Sequence, residues 1–83
     1  QFLAPYPNPA QSRTTVRYAL PETQNVTLRL YDLLGRQIQT VVEGEQGGRH
    51  RRRVDLSEVS SGTYFLRLRA GGATETRKLT IVK

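Results

Sequence analysis

The sequence contains no cysteine, no methionine and no tryptophan, and only one histidine. Without cysteine there can be no disulfide and no thiolate metal site, although this leaves the redox compartment open, because exported bacterial domains often lack bridges. His50 has neither a cysteine nor a second histidine to join it, which removes zinc sites and histidine-based catalytic constellations. No apolar run approaches the roughly 20 residues of a membrane-spanning helix. Glycine-rich phosphate loops and nucleophile elbows are also missing. The acidic residues Asp32, Glu43, Glu45, Asp55 and Glu58 fall in or beside turn signals with no spacing that marks an acid/base pair. These absences predict a protein that is not an enzyme and that takes no cofactor and no metal.

What is present is a basic chain of 83 residues, long enough for one domain with a modest core. Its net charge is +6 and its pI about 10.5, carried almost entirely by arginine, including the run Arg51, Arg52, Arg53. This balance permits attraction to nucleic acid, anionic polysaccharide or lipid headgroups without choosing among them. Nucleic acid is disfavoured, because no aromatic residue stands between Tyr31 and Tyr64 to interleave with the basic run. The chain opens on Gln1, and with no methionine anywhere it is expected to be a piece of a longer polypeptide, so that its partner is covalent.

Alternating apolar and polar residues between turn signals at spacings of about 8 to 12 residues predict an all-β fold, a small antiparallel β-sandwich of six to seven strands. "TTVRYAL" (14–20) turns Val16, Tyr18 and Leu20 inward and is expected to stop at Pro21. "NVTLRLYD" (25–32) does the same with Val26, Leu28 and Leu30, before "LLGR" turns the chain at Gly35. "RQIQTVV" (36–42) offers Ile38 as its core residue, and "EGEQGG" reads as a polar loop. "RHRRRVDL" (49–56) sets His50, Arg52 and Val54 on one face, which fits a partly covered strand or one at a sheet edge. "TYFLRLRA" (63–70) turns Tyr64, Leu66 and Leu68 inward, and Gly71-Gly72 is a hairpin signal. The last strand buries Leu79 and Ile81, and a seventh is expected near Phe2 to Ala4. The arginines mostly take outward positions, where their stems cover apolar surface.

The start of the chain is different. "PYPNP" (5–9) sets three prolines around Tyr6 and Asn8, and proline fixes φ, donates no N–H and pushes its predecessor toward extended conformations. Residues 1–12 are therefore expected to form a stiff lead-in, and 13–83 the sandwich.

Four stretches in order, "YPNP" (6–9), "YDLLGR" (31–36), "SSGTYFLRL" (60–68) and "TRKLTIVK" (76–83), resemble the C-terminal sorting domain of type IX (Por) secretion cargo, type A. A related sandwich in the flagellar hook-capping protein is similar in fold but would not explain the basic terminal motif. The resemblance implies an immunoglobulin-like sandwich that is a signal rather than a catalyst. It implies a covalent cargo on the N-terminal side that crosses the inner membrane by its own leader and folds in the periplasm. There the outer-membrane translocon recognises the domain. A cell-surface sortase then removes it, leaving the cargo secreted or attached to the surface through an anionic lipopolysaccharide.

Carried over residue by residue, the recognition positions are Tyr6, Pro7, Asn8 and Pro9 from the lead-in, Gly62 and Tyr64 from "GTYFLRL", and Arg77, Lys78 and Lys83 from the tail. Gly62 and Tyr64 are expected to serve the fold, whereas a last strand with exposed cations offers an edge for strand addition. In the family an apolar residue usually stands near Arg52 and a tryptophan near Val54, so this strand is expected to pack less fully here. The runner-up reading is a carbohydrate- or surface-binding β-sandwich module of a secreted enzyme, using Tyr6, Tyr31, Tyr64 or Phe65 as platforms, although Tyr31 and Tyr64 sit in patterns that predict core packing.

Overall fold

A computed structural model describes residues 1–83. It is all-β, with four antiparallel strands: β1 (Arg13–Asp32), β2 (Gln37–Asp55), β3 (Gly62–Ala70) and β4 (Ala73–Ile81), hydrogen-bonded in the order β2-β1-β3-β4. The expected count of six to seven is corrected to four, because the first two predicted strands are one strand, and so are the next two.

β1 has 20 residues, which would span about 65 Å if straight. The longest dimension of the molecule is 37 Å, so β1 folds back on itself. Its corner lies where the pairing with β2 jumps from Leu20↔Gly48 to Gln24↔Gln46. Pro21 falls in this gap, where no ladder bond needs its missing N–H, and so it does not end the strand. The inward positions keep one parity across the corner, Val16, Tyr18 and Leu20 before it and Val26, Leu28 and Leu30 after it. The ribbon thus bends about its apolar face and packs that face against itself, a sandwich made from one folded sheet.

β2 follows β1 around the same corner. "EGEQGG", expected to be a loop, is paired strand, from Thr27↔Glu43 to Gln24↔Gln46. Its glycines serve the bend: a Cβ on Gly47 would lie 2.8 Å from Thr23 Oγ1 and 3.1 Å from the Thr23 backbone, and Gly48 has φ of 81°. Ile38, expected in the core, is 40% exposed. The register shift between Leu30↔Gln39 and Tyr31↔Gln37 leaves it as the extra residue of a bulge, which turns it away from the interior.

The core is one cluster of 17 residues drawn from both layers, including Phe2, Ala10, Val54, Leu56, Leu66, Leu79 and Ile81. Each large apolar side chain so buried contributes about 1.5 to 3 kcal/mol. The segment near Phe2 is not a seventh strand but an isolated pairing with Tyr18. Val54 and Leu56 are fully buried while Arg52 is exposed, so the arginine-rich strand joins the core only at its end.

Residues 1–10 bind both layers. Leu3 N donates to Arg17 O, Tyr6 and Thr15 exchange backbone bonds, and Ala19 N donates to Gln1 O, so the first six residues run along β1. Pro5 is buried, the chain bends at residues 7–9, and the Tyr6–Pro7 and Asn8–Pro9 bonds are cis. Thr14, the buried polar residue, donates its hydroxyl to Pro7 O at 2.8 Å. Beyond the bend Ala10 pairs in parallel with Ile81, its N–H donating to Thr80 O and its carbonyl accepting from Val82 N, each at 2.8 Å.

Candidate functional site

The two terminal motifs, about 70 residues apart in sequence, meet on the outer edge of β4. Asn8 supplies the junction. Its side-chain amide Nδ2 donates to Lys78 O at 3.0 Å, and its Oδ1 accepts from Thr80 N at 3.0 Å. The carboxamide has one donor and one acceptor in the spacing of a peptide group, so it continues the ladder in a stretch where flanking prolines have no N–H to offer. Together with Ala10 it occupies the edge from Lys78 to Val82. At the next carbonyl Arg77 Nη1 donates to Thr76 O at 3.0 Å.

The carried-over residues divide by what they touch. Arg77 is a tether: Nη2 donates to Phe2 O at 2.6 Å, and the guanidinium stands 5.4 Å from the centre of the Phe2 ring. Lys83 is another, its Nζ donating to Leu56 O at 2.7 Å and its backbone N–H to Ser61 Oγ. Tyr64 is buried, with its hydroxyl donating to Ser60 O at 2.7 Å, four residues upstream, in the manner of the tyrosine corner of immunoglobulin-type sandwiches. Gly62 opens β3 opposite Ile81, and a Cβ there would make ordinary contact with the Tyr64 ring at 3.5 Å. Tyr6, Pro7, Asn8, Pro9 and Lys78 remain exposed, Tyr6 at 73%.

Residues 4–83 match the family model of the secretion system C-terminal sorting domain. The chain belongs to that family. It is a type IX sorting domain, a signal that directs a cargo for export to the cell surface or beyond through the secretion machinery, and the family is not one of enzymes. Among curated proteins no significant match is found.

The aromatic residues of the sorting domain are spread out: Tyr6 is exposed on the lead-in, and Phe65 is half-buried opposite Tyr31. Tyr64 and Phe2 are buried. Tyr31, expected in the core, instead lies on the outer face of β1, because inward positions have even numbers there, and the Arg67 guanidinium covers its ring at 4.7 Å. His50 stacks on Tyr18 with centroids 5.3 Å apart and bonds through Nε2 to Gly47 O, so the lone histidine is a corner residue. The Tyr18 hydroxyl bonds to Gln46 Oε1, and burial raises its pKa against the opposing influence of Arg52.

Two features of the surface are legible only in part from the sequence. In "YDLLGR" the Asp32 carboxylate accepts from Leu34 N, Arg36 N and Arg36 Nε, which fixes a turn with Leu33 and Leu34 at its tip, 65% and 78% exposed. The Arg36 backbone N–H foremost holds this carboxyl below its ordinary 3.8 against the opposing effect of desolvation, with the Arg36 side chain and the Leu34 N–H adding to the lowering. The adjacent leucines in a turn were the available signal. The second feature is the free edge of β2, one of the two positions expected for the 49–56 strand, and the sheet order places β2 there.

Proposed function

We propose that the domain is the address read by the outer-membrane translocon on cargo that has folded in the periplasm, and that a cell-surface sortase then removes it. The reader contacts the composite edge of lead-in and tail: Tyr6, Pro7, Asn8 and Pro9 with Lys78, while Gly62, Tyr64, Arg77 and Lys83 hold that edge in shape. The observation that supports this reading most is the pair of bonds from Asn8 to Lys78 and Thr80, which makes one surface of the two motifs that mark the family. A signal spread over two distant segments exists only in the folded domain, so unfolded or truncated cargo would not carry it.

The test is export of a fluorescent reporter bearing an N-terminal leader and residues 1–83 at its C-terminus, in a bacterium with type IX machinery. The expected result is reporter outside the cell only when both the domain and the machinery are present. Periplasmic retention of a folded fusion would overturn the reading. The double variant Tyr6→Ala with Lys78→Ala, which leaves every tether in place, is expected to stay folded and lose export.

A further inference from the structure

On the half of β1 that runs from Arg13 to Leu20, the backbone groups of Thr15, Arg17 and Ala19 bond to the lead-in. Alternation then points Thr14, Val16, Tyr18 and Leu20 toward their β2 partners Val54, Arg52, His50 and Gly48. The N–H and C=O groups of Arg49, Arg51 and Arg53 therefore point away from the sheet along the outer side of β2. No backbone bond outside the strands uses them. The open stretch is bounded at one end by the corner at Gly48 and at the other by Asp55, whose carbonyl accepts from Gln39 Nε2 at 3.1 Å.

The same three residues are exposed and, with Arg13 and Arg17 of β1, set five guanidinium groups on one face, none of them in an ion pair. Arg17 stands directly opposite Arg51, a like-charge pairing that costs stability in a ladder. Leu3, Arg17, Arg49 and Arg51 border a groove of about 430 Å³ beside them. Unlike the β4 edge, this one combines unused main-chain groups with unneutralised charge at every second residue.

We propose that Arg49–Arg53 of β2 is a docking site for an extended acidic segment of a protein of the secretion machinery, added as a further antiparallel strand. The choice rests on charge complementarity. A strand with carboxylates at alternate positions repeats every ~7 Å, the spacing of Arg49, Arg51 and Arg53 along β2, and each carboxylate can accept two N–H bonds from one guanidinium. A second copy of this chain is the wrong occupant, because over the straight stretch it would bring arginine opposite arginine. An anionic polysaccharide or lipid would satisfy the charges but leave the main-chain groups unused. The identity of the partner rests on the sorting function, whereas docking of an acidic strand can be measured without it.

The probe is an eight-residue peptide alternating glutamate and valine, added to the ¹⁵N-labelled 83-residue chain, with amide exchange as the readout. The amides of Arg49, Arg51 and Arg53 are expected to exchange at least about tenfold more slowly with peptide present. The effect is expected to weaken with salt and to vanish in the variant Arg49→Ser, Arg51→Ser, Arg53→Ser. A peptide N-methylated at alternate residues keeps its charge but cannot complete the ladder, and is expected to bind at least about tenfold less tightly.

Equal binding of the methylated peptide, protection elsewhere, or self-association through these amides would overturn the proposal. So would binding of a sulfated polysaccharide or anionic vesicles without binding of the peptide, or no binding at all, which would leave the arginines as guards against edge pairing. In the export assay the triple variant is expected to fall well below the wild-type domain. Full export of that variant would overturn the docking role and leave the sorting function standing, whereas failure of the wild-type fusion would count against the sorting function alone.

Discussion

At one end of the sheet β4 is closed by the chain's own first ten residues, through Asn8, Ala10 and the Arg77 side chain. At the other end β2 is left open and studded with arginine. An unpaired edge invites another strand, and proteins answer by covering it or by charging it. This domain does one at each end. Cover uses apolar anchors and specific hydrogen bonds, so it adds stability and depends on sequence-distant partners. Charge adds no stability, and through Arg17 and Arg51 it subtracts some, yet it leaves the main-chain groups available to a partner of opposite sign.

The difference is broken most severely by Phe2→Ala. Phe2 is 1% exposed and anchors the lead-in, so the variant is expected to lose about 3 to 5 kcal/mol in denaturant unfolding. Loosening of the cover should also let β4 edges associate, seen as concentration-dependent sedimentation; a monomer of near wild-type stability would show that the lead-in docks without this anchor. Asn8→Ala removes two exposed hydrogen bonds and is expected to cost about 1 to 2 kcal/mol, with the Thr80 amide exchanging faster. Unchanged exchange at Thr80 would mean that Ala10 alone closes the edge.

A smaller effect comes from acid. The Asp32 carboxyl is held low chiefly by the Arg36 N–H, and Asp55 chiefly by the Ser57 N–H, each below the ordinary 3.8. A depressed folded value means that the stability they add is complete above the ordinary pKa and is lost as the pH falls through the folded one. Thermal midpoints measured from about pH 5 to about pH 2 are expected to fall less steeply for Asp32→Asn and for Asp55→Asn than for wild type. Identical slopes would remove both turns from the acid response. Smallest of all, Arg51→Ser on the open edge is expected to change stability by no more than about 0.5 kcal/mol, with any change a gain. A clear loss would show that the guanidinium supports the fold after all.

The sequence made the core legible wherever polarity alternates at a fixed period, as at 16–20, 26–30, 64–68 and 79–81, where the apolar residue at every second position is buried. It misled where the strand itself is irregular. Pro21 and the glycines of "EGEQGG" are turn signals by composition, but in β1 and β2 they form a corner inside paired strands, and the bulge at Ile38 turns a core-type residue outward. Of the candidate site, the motifs were visible as words and their meeting was not. Nothing local to Asn8 announces a bond to Lys78, 70 residues away. The open edge at 49–56 was one of two readings offered by His50, Arg52 and Val54 sharing a face, and the sheet order decides for it.

The clasp of residues 1–10 on β4 also sets an order of events. Residues 1–6 have their backbone partners on β1, but Asn8 and Ala10 find theirs, Lys78, Thr80 and Ile81, only once β4 has been synthesised. A chain that stops before Lys78 loses the closure at residues 8–10 as well as most of its last strand. The fold thereby measures the length of the message that encoded it.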